Sequence, residues 1–440
     1  MKKRDKADYI VRGAYVLPMD AEFTVIRDGA VAVRDGKIED VGEYGEIVSR
    51  YDSEEIIGGE GRVVIPGLVN THTHAAMVYF RGLADDLPLK EWLEKHIWPA
   101  ESKWLSPQFV SDAAELACLE MLKAGITTYN DMYFFEDAAA ISTRKMGMRA
   151  VLGVGILDFP SVSARTTSEY LKNAERFIRD WKDDGLITPC VAPHSVYTCG
   201  PDTLNKAKGL AEKYDLLLHI HLSETEWEVG ETMLRYRRRP VNHLEDIGFL
   251  DENVLAVHCV WLEDGEIELL AKRSVGVSHC MESNLKLASG FAPVVMMLMS
   301  GIKVTFGTDG AASNNDLNIL SEMSTTAKVH KALSNNPTVL DAKTALLMAT
   351  RWGAEVLGLG NVTGNIVKGK AADLVMMNID KPHLAPLYDI YSHIVYSLRA
   401  SDVETVMVAG KIAVKDGRLM TGDESEILAK ARAWGEKIRQ

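Results

Sequence analysis

The stretch PGLVNTHTHAAMVYFRG (Pro66–Gly82) carries two histidines two residues apart, His72 and His74, directly after an apolar run. On an extended strand, residues i and i+2 face the same side, so both imidazoles can reach one metal ion. The pair alone says little: with 12 histidines in 440 residues, chance supplies roughly a third of one such pair. It gains meaning from groups of similar chemistry that follow later strand-like runs: His194 in APHS, His221 and Glu224 in HLSE, His258 in VHC, His279 in SHC and Asp309 in GTDG. His72, His74, His221 and Asp309 make a nitrogen-and-oxygen donor set with a position left for water. Such a set suits zinc, and ferrous iron also fits by ligand type. Water on such an ion loses a proton near neutral pH, so the chemistry indicated is metal-assisted hydrolysis. One metal is the simpler reading, because His194 rather than a lysine ends the fourth run.

Each residue also has a plainer reading. Asp309 could cap the helix that follows it, although its Gly-Thr-Asp-Gly setting suits close approach to a ligand. Glu224 could be a solvated carboxylate at a helix start. His219 forms a second His-x-His with His221, but it lies two residues deeper and reads as a hydrogen-bonded interior residue. His279 is divided between orienting the site and supporting a neighbouring strand. His96, His243, His330, His383 and His393 fall in helix or loop patterns and receive no role.

Positioning these groups requires a scaffold that gathers strand ends. Eight apolar runs alternate with helix-like segments: RVVIPGLVN, GITTYNDM, MRAVLGVGI, LITPCVAPH, LLLHIHLSE, NVLAVHCVW, SVGVSHC and KVTFGTDG. This alternation predicts an α/β fold, a (β/α)8 TIM-type barrel, whose catalytic groups sit at the C-terminal ends of its strands. A doubly wound open sheet is the alternative, but no Walker A sequence occurs, and GLGNVTG from Gly358 has Thr363 where a dinucleotide fingerprint needs glycine. The two ends of the chain read differently. Short β-branched runs punctuated by Gly and Asp fill residues 1–65 and return in residues 366–440, before a C-terminal helix. They predict one discontinuous β-sandwich domain built from both ends around the barrel of residues 66–365.

Composition narrows the partners. Hydrophobic residues make up 47% of the chain and charged residues 25%, as in folded soluble proteins. A formal net charge of −13 without a Lys/Arg-rich block argues against nucleic acid and anionic membranes. The five cysteines are odd in number and form no C-x-x-C, which disfavours a disulfide framework and fits a reducing compartment. The basic start MKKRDKADYIVRG lacks the apolar core of a signal peptide, and no apolar stretch approaches a membrane span. A cytoplasmic protein is expected.

The segments PGLVNTHTH, HIHLSETEWE, VHCVWL, SNLKLASGFAPV, VTFGTDGAASNNDLNILSEM and GNIVKGKAADLVMMN resemble the amidohydrolase superfamily. Within it, almost the whole chain is most similar to the 5′-methylthioadenosine/S-adenosylhomocysteine deaminases. The resemblance implies one divalent metal per subunit, usually zinc, on His72, His74, His221 and Asp309. It implies that Glu224 shuttles protons to the ring nitrogen and that His258 stabilises the attacking hydroxide. Asp309 or Glu224 then takes the water's proton. By the same resemblance Glu101, in HIWPAE, meets the ribose hydroxyls; its plainer reading is a surface helix charge. His194 binds substrate, and Arg165, in SVSARTTSEY, meets the far end of the 5′ substituent. Met281 stands where many relatives have proline, a change to a loop rather than to the chemistry.

The implied reaction is hydrolytic deamination of adenine at C6 in 5′-substituted adenosines (S-adenosylhomocysteine, 5′-methylthioadenosine, adenosine or 5′-deoxyadenosine). Inosine derivatives and ammonia are the products. The alternative is a deaminase or chlorohydrolase acting on guanine, cytosine, a pterin or a triazine. Glu101 and His194 separate the two, because a free base has no diol to hold. A cyclic-amide hydrolase is disfavoured by the missing lysine, and a non-catalytic scaffold by the complete ligand set. The partner is then a small nucleoside, and the resemblance brings homo-oligomers with it.

Overall fold

The computed structural model describes residues 4–440. All eight apolar runs contain parallel strands: β1 (Leu68–Thr73), β2 (Ile126–Tyr133), β3 (Arg149–Ile156), β4 (Ile187–Pro193), β5 (Leu218–Leu222), β6 (Val254–His258), β7 (Gly276–His279) and β8 (Val304–Phe306). They pair in chain order in one eight-stranded sheet. The sheet curls into a barrel, and the Asp309 amide donates to the His72 carbonyl at 3.0 Å across the seam. A buried hydroxyl layer reinforces the seam. Thr71 Oγ1 lies 2.7 Å from Ser278 Oγ and 2.8 Å from Thr305 Oγ1. Strands β2 and β3 are buried along their whole lengths, because helices cover one face and the barrel interior fills the other.

The covering helices obey local chemistry. Ser106 caps Pro107–Lys123 by accepting the Phe109 amide at 3.2 Å, and Gly125 ends that helix at φ +84°. Thr166 caps Thr167–Trp181 and Thr225 caps Glu226–Tyr236 in the same way.

The first apolar run divides at Gly67. Residues before it belong to the strand Glu55–Pro66 of a second sheet, and residues after it begin β1. A Cβ on Gly67 would sit 1.9 Å from Thr127 Oγ1, so only glycine lets the chain pass from one sheet to the other here. That second sheet has eight strands drawn from both chain ends. Glu55–Pro66 lies between Tyr9–Val16 and Leu374–Asn378. The sheet curls until Gly36 meets the turn at Gly410, enclosing Val31, Val33, Val64, Leu374 and Met407. The two sheets are joined by a buried ion pair in which Arg149 Nε, at the start of β3, donates to Asp373 at 2.9 Å. Among the described residues, no helix is long and apolar enough to cross a membrane.

Candidate active site

The C-terminal ends of the barrel strands converge on one cluster. His74 Nδ1 lies 2.7 Å from the Met132 carbonyl, and His221 Nδ1 lies 2.9 Å from the His194 carbonyl. A carbonyl only accepts, so both Nδ1 atoms carry the proton and both Nε2 atoms present lone pairs. His72 Nδ1 is held 2.9 Å from His219 Nε2, and its own buried Nε2 has no hydrogen-bond partner. That same Nε2 lies 3.5 Å from Asp309 Oδ1, and the Nε2 of His74 lies 3.4 Å from it. Ser283 and Ser313 donate to the other carboxylate oxygen, Oδ2, at 2.7 and 2.9 Å.

Nitrogen lone pairs facing a carboxylate repel unless a proton or a cation lies between them. Burial pushes the His72 imidazole down to about 3, although Asp309 pulls the other way. Burial would raise Asp309, but the imidazoles crowded around it, His72 first, hold it well below the usual carboxylate range. Ligand atoms of His72, His74 and Asp309, and of His72, His221 and His258, lie within 4.8 Å of one another in each group. The donor set, with its orphaned buried nitrogen, fits one divalent cation.

Two glycines have a role other than the one their setting suggests. A Cβ on Gly307 would meet the His72 Cβ at 2.7 Å, and one on Gly310 would come 3.3 Å from the His74 Cβ. They admit His72, His74 and Met77 close to the segment that follows β8.

Glu224 and His258 form the adjacent wall. Their Oε2 and Nε2 atoms are 3.8 Å apart. His258 Nδ1 lies 2.9 Å from Asn284 Oδ1, which accepts its proton and leaves Nε2 facing Glu224. Burial raises the Glu224 carboxyl, while the charge of His258 opposes the shift. Backbone strain accompanies these placements: Ser223, His258 and Asp309 adopt φ of +53°, +70° and +61°. Left-handed non-glycine residues each cost about 1–3 kcal/mol and cluster where a site over-determines the chain.

A cavity of about 360 Å³ opens onto the cluster, lined by His74, His194, His221, Glu224, His258 and Asp309 at its floor. Glu101 reaches it from the short helix Trp98–Trp104, entered through a wide π-type turn at Leu93–Ile97. The Glu101 carboxylate is buried, accepts the Tyr133 hydroxyl at 2.6 Å, and is pushed up to about 7 by burial. His194 Nδ1 is anchored 3.0 Å from Thr198 Oγ1.

Not every sequence-derived candidate arrives. Arg165 is exposed on the loop after β3, its amide donating to Glu169, and it does not line the cavity. His279 is buried with both ring nitrogens unpartnered, its ring beside His330 and away from the cavity. His219 is the interior hydrogen-bonding residue its depth implied. Four supporting residues escaped sequence reasoning: Tyr133, Ser283, Asn284 and Glu228. The last accepts the backbone amides of Ser223 and Glu224 at 2.9 and 2.8 Å. Only Glu228 left a trace, as the acid four residues after Glu224 in HLSETEWE.

Comparison with known proteins agrees with this geometry. Residues 63–413 match the Amidohydrolase family. A 5-methylthioadenosine/S-adenosylhomocysteine deaminase of Thermodesulfovibrio yellowstonii is 54% identical over 98% of this chain and 99% of its own length. A 5′-deoxyadenosine deaminase of Methanosarcina acetivorans is 45% identical over 98% of each chain. The crystal structure of an adenosine deaminase from Xanthomonas campestris with bound zinc superposes with a TM-score of 0.97 at 39% identity, covering 99% of this chain and 100% of that one. The match over residues 63–413, with full-length relatives at 45–54% identity, places this chain in the amidohydrolase family.

Proposed function

We propose that the protein hydrolytically deaminates adenine at C6 in 5′-substituted adenosines, giving the inosine derivative and ammonia. The observation that carries this reading is the placement of Glu224 and His258 beside the four-ligand cluster, with Glu101 in the same cavity. The names of the three similar proteins given above, each a deaminase of an adenosine-type nucleoside, support it.

His72, His74, His221 and Asp309 would hold the cation, which we take to be zinc. Bound there, it supplies Lewis acidity that brings the pKa of a water near neutrality. The protein's own groups do the rest. Glu224, kept protonable by burial, delivers a proton to purine N1 and makes C6 electrophilic. Addition of water to C6 forms a C–O bond as one water proton returns to the emptied Glu224 carboxylate and the other passes to Asp309, while His258, oriented by Asn284, steadies the developing negative oxygen. Glu224 then passes a proton to the amino group, which leaves as ammonia as the C–N bond breaks. Glu101, fixed by Tyr133, accepts from the ribose diol, and His194 contacts the substrate beside it. The five free, buried cysteines support a cytoplasmic setting.

Ammonia release from a panel of adenosine nucleosides, free adenine, guanine and cytosine tests the proposal. Turnover of nucleosides well above free bases is expected. Turnover of free bases alone would replace it with the alternative of a base deaminase.

A further inference from the structure

The reading above leaves the 5′ substituent open, and the far end of the cavity bears on it. Glu101 and Trp98 are three residues apart in one helix, so both project from the same face, separated by about 4.5 Å along the axis. Trp98 therefore lines the cavity beside any ribose held at Glu101. The opposite wall there is the loop after β3, through Leu157, Phe159 and Val162. The Trp98 and Phe159 rings lie 5.8 Å apart, and Phe159 and Val162 are each 38% exposed, large apolar side chains left uncovered at the mouth.

Among the described residues, no lysine or arginine lines this cavity; its charged lining groups are Glu101, Glu224 and Asp309. The recess beside it, which shares Trp98, carries Lys90 and Lys286, and both have partners of their own. Lys286 donates to Asp85 at 2.6 Å, and Lys90 lies 5.1 Å above the Trp227 ring. Arg165 is exposed and is not among the lining residues. A carboxylate carried on the 5′ carbon would find no positive partner on these walls. A thioether or methyl group would gain apolar cover and sulfur–aromatic contact.

We propose that Trp98, Phe159 and Val162 make this an enzyme selective for small apolar 5′ substituents, methylthio or 5′-deoxy, over the zwitterionic amino-acid tail of S-adenosylhomocysteine. The proposal rests on the deaminase reading of the same site. It is tested by kcat/KM of the metal-loaded enzyme for 5′-methylthioadenosine, 5′-deoxyadenosine, adenosine and S-adenosylhomocysteine. The first two are expected to exceed S-adenosylhomocysteine by at least about tenfold, carried mainly by KM. Val162→Arg, at a half-open loop position that tolerates a long side chain, should narrow that ratio by about fivefold or more by lowering KM for S-adenosylhomocysteine. S-adenosylhomocysteine turned over as well as methylthioadenosine, or a ratio unmoved by Val162→Arg, would overturn this inference alone. Turnover of none of the four would overturn the deaminase reading and this inference together.

Discussion

Glu228 holds Glu224 by its backbone: the Glu228 carboxylate accepts the Glu224 amide at 2.8 Å and the Ser223 amide at 2.9 Å, and Ser223 is left-handed at φ +53°. The two bonds fix the turn that aims Glu224 into the cavity. Glu228→Ala removes the acceptor and leaves two buried amides unsatisfied, each costing about 1–3 kcal/mol. Expected are a lower Tm and a fall in kcat of about tenfold or more, with zinc content unchanged, because the metal ligands are untouched. Metal analysis and steady-state kinetics on the same preparation check this. Loss of zinc in parallel with activity would show that Glu228 supports the whole barrel mouth instead.

Glu224 itself is separable from the metal. Its oxygens accept from Ser289 at 3.3 Å and face His258, and it stands outside the four-ligand set. Glu224→Gln keeps shape and hydrogen bonding but cannot carry the proton between N1 and the leaving amine. We expect zinc retained and kcat reduced by about 10²–10⁴. An undiminished kcat would remove Glu224 from proton transfer.

The barrel was legible because its strands are buried on both faces and therefore read as unbroken apolar runs. The second sheet was legible only as composition. Which strand pairs with which depends on Glu55–Pro66 reaching Leu374–Asn378 across the whole barrel in sequence, and no local pattern encodes that pairing. The site divides along similar lines. His72, His74, His221, His258 and Asp309 each lie at or just beyond the C-terminal end of a strand, so their convergence follows from the fold. Tyr133 bonds a functional group from a strand end, and Ser283 and Asn284 do so from the short helix Met281–Lys286, with residue types that are common everywhere. The strained backbone at His258 and Asp309 has no signature either, since neither is glycine. Arg165 shows the opposite case: a suitable residue type in a suitable segment, which in this structure is exposed and outside the cavity lining.

Glu101 predicts a pH dependence of stability. Its carboxyl is raised from 4.5 to about 7 by burial, so the folded protein keeps a proton that the unfolded chain has lost. Its stabilising contribution is full below the unfolded value and disappears as pH rises through the folded one. Glu101→Gln mimics the neutral form and retains an oxygen acceptor for Tyr133. The two proteins should be similarly stable near pH 4.5, with the variant gaining on the wild type by on the order of 3 kcal/mol by pH 8. Urea unfolding at both pH values measures the difference, and a pH-independent gap would mean that Glu101 is ionised in the folded protein.

Metal removal should be reversible and should respond to the serines behind Asp309. Without a cation, the buried His72 Nε2 has no partner and two imidazole lone pairs face Asp309. Dialysis against a chelator is therefore expected to abolish ammonia release and lower the Tm, and zinc should restore both. Ser283 donates to Asp309 Oδ2 at 2.7 Å and so leaves Oδ1 turned toward the histidines. Ser283→Ala should weaken zinc affinity by about 10–100-fold, with most of kcat recovered at saturating zinc. Competition with a calibrated chelator gives the affinity directly. An affinity equal to wild type would mean that Ser313 and the Gly310 amide suffice to orient the carboxylate.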